Sequence, residues 1–314
     1  MRVLVTGGAG FIGRHLVGAL VERGDHVIVL DNLRRGDPKA LPRDACFIEG
    51  DIRDETAVAR AVAGCELVYH LAAQSNVMGA MSDVDYSFTS NVAGTFNVLK
   101  AAANAGARRL VFSSSREVYG EPERLPVSED TPLLAKNPYG ASKVAGEAYC
   151  RTWHHATPLD AYVLRFANVY GPGDSGRVIP LWTAAALAGE PLRLFGGGQV
   201  LDFVHVDIAV EALLRAGDAE NRGPVNVGTG VGTGLPALAE RILELTGRRS
   251  ELVVEPPRGP EVVRFVADVR RMQAVLGIAR PGDPLAGLPA LVAQRANRDM
   301  PLDRSQRSGP IGGL

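Results

Sequence analysis

The segment Thr6-Gly7-Gly8-Ala9-Gly10-Phe11-Ile12-Gly13 stands between the β-branched run Val3 to Thr6 and a stretch from Arg14 to Glu22 with helix-like apolar spacing. Glycines at 7, 10 and 13 let the chain turn sharply, bring backbone N–H groups onto an anion at a helix N-terminus and pack the helix on the strand. This junction leaves few folds open, because it reads as the strand–turn–helix unit of a parallel sheet carrying a pyrophosphate. The next strand pattern, Val27 to Leu30, runs into Asp31, close to the ~20 residues at which a ribose-binding carboxylate is expected. Asp31 accepts a hydrogen bond from the 2′-hydroxyl of NAD and repels the 2′-phosphate of NADP, so NAD is the expected cofactor. Arg34 and Arg35 work against that preference.

Further short runs, Cys46 to Glu49, Leu67 to His70, Leu110 to Ser114 and Ala161 to Phe166, alternate with helical patterns. Each is apolar on both faces, as a parallel strand covered by helices on both sides should be. The expected fold class is α/β, a doubly wound parallel sheet (Rossmann fold) with a smaller C-terminal substrate lobe. After Gly171 the texture changes to Gly and Pro clusters separating short helices. We expect 1–170 to be the NAD-binding domain, with 204–228 returning to it, 171–314 to be mainly the substrate lobe, and the tail from about 296 to be loose.

A chain of 314 residues with 46% apolar and 22% charged residues can bury a sizeable core, and its net charge of -1 argues against nucleic-acid binding. Three cysteines, Cys46, Cys65 and Cys150, lack metal-ligand spacing and read as reduced, partly buried thiols, so no metal is expected. The N-terminus shows no signal-peptide pattern and no stretch is long and apolar enough to span a bilayer, which suggests a cytoplasmic protein without a membrane partner.

Tyr139-Gly-Ala-Ser-Lys143 follows the helix-start signal Asn137-Pro138 and opens a helical run to about His155. Four residues apart, Tyr139 and Lys143 share a helix face. An ammonium at ~5 Å contributes about 3 kcal/mol at an effective dielectric of ~20, enough to draw a phenol toward neutrality, and a nicotinamide cation adds to it. Tyr139 is then a candidate base. A serine cluster, Ser113-Ser114-Ser115, falls at the carboxyl end of the Leu110 strand, where ligands of such sheets bind, and Ser115 can bridge a substrate hydroxyl and Tyr139.

With Asp31-Asn32, Asp51-Ile52, His70-Leu71-Ala72-Ala73, Asn91-Val-Ala-Gly94-Thr95, Val118-Tyr119-Gly120 and Arg165-Phe166-Ala167-Asn168-Val169-Tyr170-Gly171-Pro172, these motifs resemble the extended short-chain dehydrogenase/reductases of the NAD-dependent epimerase/dehydratase family. UDP-glucose and UDP-glucuronate 4-epimerases are the most similar members. The resemblance covers the chain to about residue 290. It implies that Gly7, Gly10, Phe11, Ile12, Gly13, Asp31, Asn32, Asp51, Ile52, Leu71, Ala72, Ala73, Asn91, Ser113, Tyr139, Lys143 and Phe166 hold NAD. Ser115, Tyr139 and Lys143 are the implied catalytic residues. Ser115, Arg116, Glu117, Asn168, Arg177, Val178, Phe195, Arg258 and Glu261 are implied to bind the UDP-sugar. Leu201 departs from the pattern, because relatives usually carry a diphosphate-binding arginine there, and Arg177 is expected to take over that role. Relatives are commonly homodimers through two helices, here Asp83 to Ala105 and Tyr139 to His155.

The implied reaction is 4-epimerisation of a UDP-sugar, glucose/galactose or glucuronate/galacturonate, through a transient 4-keto sugar. A dTDP-hexose 4,6-dehydratase needs an Asp-Glu pair where this chain has Arg116-Glu117, which disfavours dehydration. UDP-glucuronate decarboxylation stays open because Glu117 is kept. Arg116 either neutralises a sugar carboxylate or faces solvent. A non-catalytic NAD sensor is the alternative of a different class, and the presence of both Tyr139 and Lys143 speaks against it.

Overall fold

The computed structural model describes residues 1–259 and 261–299. The early strands are Arg2–Thr6 (β1), His26–Asp31 (β2), Cys46–Glu49 (β3), Leu67–His70 (β4), Arg109–Ser115 (β5) and Asp160–Phe166 (β6). They are followed by Asn168–Tyr170 (β7), Leu192–Phe195 (β8), Val200–His205 (β9), Val225–Val227 (β10), Gly232–Gly234 (β11), Leu252–Glu255 (β12) and Arg264–Phe265 (β13). The helices are Phe11–Glu22 (α1), Glu55–Val62 (α2), Val77–Ser82 (α3), Val84–Phe88 (α4), Gly94–Asn104 (α5), Pro138–Ala156 (α6), Val178–Ala188 (α7), Val206–Ala216 (α8), Leu235–Leu245 (α9) and Leu288–Asp299 (α10). A π-helical segment, Thr89–Ala93, joins α4 to α5, so the run expected to be one helix is interrupted.

The described residues form a seven-stranded sheet in the order β10-β6-β5-β4-β1-β2-β3, parallel throughout. Its two faces are sorted by residue parity, as a pleated strand requires. Val3, Val5, Val27 and Val29 pack with Leu16 and Leu20 of α1 and Leu213 of α8. Leu4, Ile28 and Leu30 pack with Val58 of α2 and Val98 of α5 on the other side. The edge strand β3 departs from the two-sided apolar expectation, with Cys46 and Glu49 exposed, because it has a neighbour on one side only. Cys46 is therefore not partly buried as expected; Cys65 and Cys150 are fully buried, and all three thiols are free.

Strand order reverses between β1 and β4, which opens a crevice at their carboxyl ends. There Thr6 Oγ1 and His70 Nδ1 are 2.7 Å apart, and His70 Nε2 lies 2.9 Å from Thr95 Oγ1. Burial, helped by the charge of Lys143, takes His70 down to about 3, so the ring is neutral and serves as a cross-brace beneath the crevice.

Strands β11, β9 and β13, with β7 on β9, form a second small sheet, and β8 pairs with β12. Trp182, Leu194, Leu201, Phe203, Leu238 and Ile242 build a separate core beneath them. Between these pieces the chain returns to the large sheet, where β10 pairs with β6 and α8 shares the core of α1. Residues 296–299, expected to be loose, continue α10 because Val292 and Leu288 anchor that helix to the second core. Residues 300–314, the rest of that expected tail, lie outside the described residues. No helix among the described residues is long and apolar enough to cross a membrane.

Candidate active site

The turn after β1 is possible only because of its glycines. Gly7 has φ +72°, and a Cβ on it would lie 2.6 Å from the backbone nitrogen of Ala72; a Cβ on Gly13 would collide with the carbonyl oxygen of Gly7. Gly10 precedes α1 without a side-chain cap, which leaves first-turn N–H groups to an anion. Gly7, Gly10, Phe11, Ile12 and Gly13 line one end of a cavity of about 630 Å³, together with Asp31, Asn32, Ile52, Leu71, Ala72, Ala73, Ser113 and Phe166. This cradle fits a dinucleotide.

The Asp31 carboxylate accepts from Ala9 N–H at 3.1 Å and Leu33 N–H at 2.9 Å. Burial raises its pKa while both bonds oppose the rise, so the carboxylate is fixed beside the glycine turn. The two arginines that weakened the NAD expectation both line the cavity, and each has a protein partner. Arg34 stacks 3.8 Å over the Tyr86 ring, and Arg35 donates to Ser175 O at 3.0 Å. Two expected cofactor residues lie outside the cavity lining. Asp51 accepts from Asn32 at 2.8 Å and from Arg53, and although burial works upward these partners hold it at about 2. Asn91, fully buried, accepts from Gln74 N–H at 2.7 Å and donates to Gln74 O and Ser142 Oγ. Each fixes a neighbour that does line the cavity, Asn32 and Gln74.

Asn137 caps α6 by accepting from Gly140 N–H at 2.8 Å, with Pro138 in the first turn. A Cβ on Gly140 would lie 2.5 Å from Glu117 O, so α6 and the turn after β5 meet backbone to backbone. That contact sets Tyr139 against Ser115, whose side chain works to lower the phenol's pKa. Lys143 donates to Ser113 O at 2.7 Å, with its Nζ 5.9 Å from the centre of the Tyr139 ring.

Here the electrostatic expectation is corrected. Burial pushes the Tyr139 phenol above its ordinary value, with the Ser115 side chain and the charges of Arg177 and Arg116 opposing the rise and Glu117 adding to it. Lys143, itself lowered by burial to about 8, spends a hydrogen bond on Ser113 and does not draw the phenol to neutrality. Desolvation wins in the protein alone.

Beneath this turn runs a network that the sequence reading missed. Ser114 donates to Glu147 at 2.5 Å, Glu147 receives Arg165 Nη2 at 2.7 Å and Nε at 3.0 Å, Arg165 donates to Tyr119 Oη, and Tyr119 donates to Asn226 at 2.7 Å. The available signal was the place of Glu147 one helical turn beyond Lys143, a carboxylate on the buried face. Missed too was a clasp between α1 and the chain after β7, in which Arg14 donates to Gly173 O at 2.7 Å and His15 Nε2 lies 2.8 Å from Pro172 O.

Ser115, Arg116, Glu117, Asn168, Arg177, Val178, Phe195, Arg258 and Glu261 all line the same cavity, as does Leu201. Arg116 does not face solvent: its side chain is 11% exposed, and it donates to Asn168 Oδ1 at 3.3 Å and pairs with Glu117 at 3.0 Å. Glu117 also accepts from Asn137 at 2.7 Å. Arg177 pairs with Asp174 at 2.6 Å and lies 5.5 Å from the Phe11 ring centre, while Arg258 stacks 3.5 Å over Phe195. Among the described residues no group of acidic, His or Cys side chains is arranged to hold a metal.

The model of the NAD dependent epimerase/dehydratase family matches residues 3–228. The UDP-glucose 4-epimerase of Mycolicibacterium smegmatis is 39% identical over 291 residues, covering 88% of this chain and 93% of that protein. Among solved structures, the UDP-glucose 4-epimerase of Thermotoga maritima with UDP-glucose has a TM-score of 0.92 at 35% identity, covering 95% of this chain and 99% of the other. MoeE5 in complex with UDP-glucuronic acid and NAD has a TM-score of 0.88 at 32% identity, covering 95% and 100%.

Proposed function

The chain belongs to the NAD-dependent epimerase/dehydratase family and uses NAD as its cofactor, and from that premise we propose that it interconverts the C4 epimers of a UDP-sugar through a transient 4-keto sugar. The observation that carries the reading is that the buried Tyr139, one helical turn from Lys143, and Ser115 line the same cavity as the glycine turn. Relatives named UDP-glucose 4-epimerase, and structures solved with UDP-glucose and UDP-glucuronic acid, support a UDP-sugar as substrate.

Bound NAD supplies a hydride acceptor at C4 and later returns the hydride. Ser115 holds the sugar 4-hydroxyl against Tyr139, whose phenolate form takes its proton. Lys143 keeps a positive charge on the buried side of Tyr139, and the bond to Ser113 fixes its position. Once the ketone has turned, Tyr139 gives the proton back on the other face. We assign Asn168, Arg177, Val178, Phe195, Arg258 and Glu261, largely on the lobe within 171–314, to the UDP moiety.

Decarboxylation of UDP-glucuronate is the second reading, because Glu117 lines the cavity beside Arg116. Both Glu117 oxygens are already engaged, by Arg116 and by Asn137, which favours epimerisation. For the homodimer, the exposed apolar side chains Met78, Met81, Val84, Phe88 and Tyr149 on α3, α4 and α6 support self-association through this helical face.

An NMR time course with UDP-glucose, UDP-glucuronate and dTDP-glucose in parallel tests the reading. A C4 epimer is expected. Loss of C6 gives the decarboxylase instead, a 4-keto-6-deoxy sugar gives the dehydratase, and retained NAD without any turnover gives the sensor.

A further inference from the structure

Arg116 is the cation nearest in sequence to the hydroxyl that meets Tyr139. Consecutive Cα atoms are about 3.8 Å apart, so Ser115 and Arg116 present neighbouring points to one ligand. Arg116 also reaches the cavity from a buried position: its guanidinium lies 5.9 Å from the Phe265 ring centre, its Nε is taken by Asn168 and its Nη2 by Glu117. Its Nη1 is fully buried and has no hydrogen-bond partner among the described residues. A guanidinium carries five N–H donors, more than Asn168 and Glu117 take up, so this cavity-lining side chain has donors to offer an acceptor supplied by a ligand.

We infer that Arg116 reads a carboxylate on the sugar, so that the preferred substrate is a UDP-hexuronate rather than a neutral UDP-hexose. The inference rests on the epimerase reading for the orientation of the sugar, with the 4-hydroxyl at Ser115 and Tyr139. In a hexuronate the carboxylate is borne by C5, bonded to C4, whereas the diphosphate is on C1 across the ring. A cation at the residue after Ser115 therefore meets the C5 substituent before it meets the diphosphate. Glu117 meets Arg116 through one oxygen and accepts from the Asn137 N–H through the other, which leaves the remaining guanidinium donors for a second acceptor. A hydroxymethyl group also offers an acceptor to Arg116, but no charge. Arginine is the side chain that gains most from the difference, through charge-assisted and bidentate bonds to a carboxylate.

The test is equilibrium binding of UDP-glucuronate, UDP-glucose and UDP to the NAD-loaded protein and to its Arg116→Met and Arg116→Lys variants, with NAD retention as the measure of folding. The unaltered protein is expected to bind UDP-glucuronate more tightly than UDP-glucose, and this preference falls about tenfold or more in Arg116→Met, as loss of a charge-assisted bond implies, with partial recovery in Arg116→Lys. A preference for UDP-glucose in the unaltered protein overturns the inference, as does a preference unchanged in Arg116→Met. An equal loss for both sugars and for UDP overturns it as well and assigns Arg116 to the diphosphate. Because binding needs no turnover, these outcomes stand apart from the NMR time course, which alone decides the reaction.

Discussion

Lys143 donates a hydrogen bond to the carbonyl oxygen of Ser113 at 2.7 Å, tying the first turns of α6 to the carboxyl end of β5. Burial lowers this lysine from 10.5 to about 8. The ammonium is present below that value and lost above it, so kcat/KM should carry an alkaline limb near pH 8. Lys143→Arg keeps its charge at all accessible pH values and should move the limb upward while lowering the rate. A limb that stays in place in this variant removes Lys143 as its origin. The same shift has a stability consequence: between about 8 and 10.5 the unfolded chain holds the proton more tightly than the folded one, so this group favours the folded state increasingly as pH rises through that window. Below 8 the cost of burying the charge is fully present. Denaturant midpoints of the protein and of Lys143→Met, compared from pH 7 to 10, should converge toward high pH.

Tyr139 is pushed upward by burial, so the protein without NAD should keep it as a neutral phenol well past neutrality. A positive nicotinamide ring stabilises the phenolate, and its arrival lowers the titration midpoint. Tyrosinate absorbance of the NAD-free and NAD-loaded protein, with Tyr139→Phe as the blank, measures this directly. Equal midpoints with and without NAD would contradict the cofactor's part in activating the base. Tyr139→Phe itself should lower the rate by about 10²- to 10⁴-fold while NAD stays bound, the usual worth of a positioned proton-transfer group.

Glu147 and Arg165 form a buried ion pair, each side chain under a tenth exposed, with Ser114 on one side and Tyr119 on the other. Removing one partner leaves an uncompensated buried charge, which typically costs about 3–5 kcal/mol. Glu147→Leu should therefore unfold at clearly lower denaturant, and the double variant Glu147→Leu/Arg165→Met should recover part of the loss. A double variant no more stable than Glu147→Leu would show that the pair contributes little beyond filling space.

The large sheet was legible because its strands, the edge strand β3 apart, are short apolar runs covered on both faces. Strands β7, β11 and β13 were not, since pieces of two or three residues hold by register with β9 rather than by a periodic pattern of their own. At the site, the places of Gly7, Asp31 and Ser115 were legible from a strand end, and that of Tyr139 from a helix-start signal and its spacing to Lys143. Glu147 and Arg14 were not, because a charged residue on a helix looks the same whether it faces water, Arg165 or the Gly173 carbonyl. The error over Tyr139 has the same root: spacing places Lys143 one turn away, but only the fold shows that Ser113 claims its hydrogen bond and that burial outweighs the charge.

Arg177 is the remaining place where sequence and structure pull apart. The sequence suggests that it replaces the cation missing at Leu201 on the diphosphate of UDP. In the fold it pairs with Asp174, whose carboxylate is buried, and it lies near Phe11 at the start of the cofactor helix. One nitrogen of the guanidinium meets Asp174, which leaves further donors for a phosphate oxygen. If that oxygen belongs to UDP, Arg177→Ala should weaken UDP binding about tenfold or more with NAD affinity unaltered. If it belongs to NAD, the loss appears in NAD binding instead. Because Asp174 loses its partner in this variant, Arg177→Ala/Asp174→Asn should be measured alongside, and a UDP affinity equal to that of the parent protein in both variants would end the substitution idea.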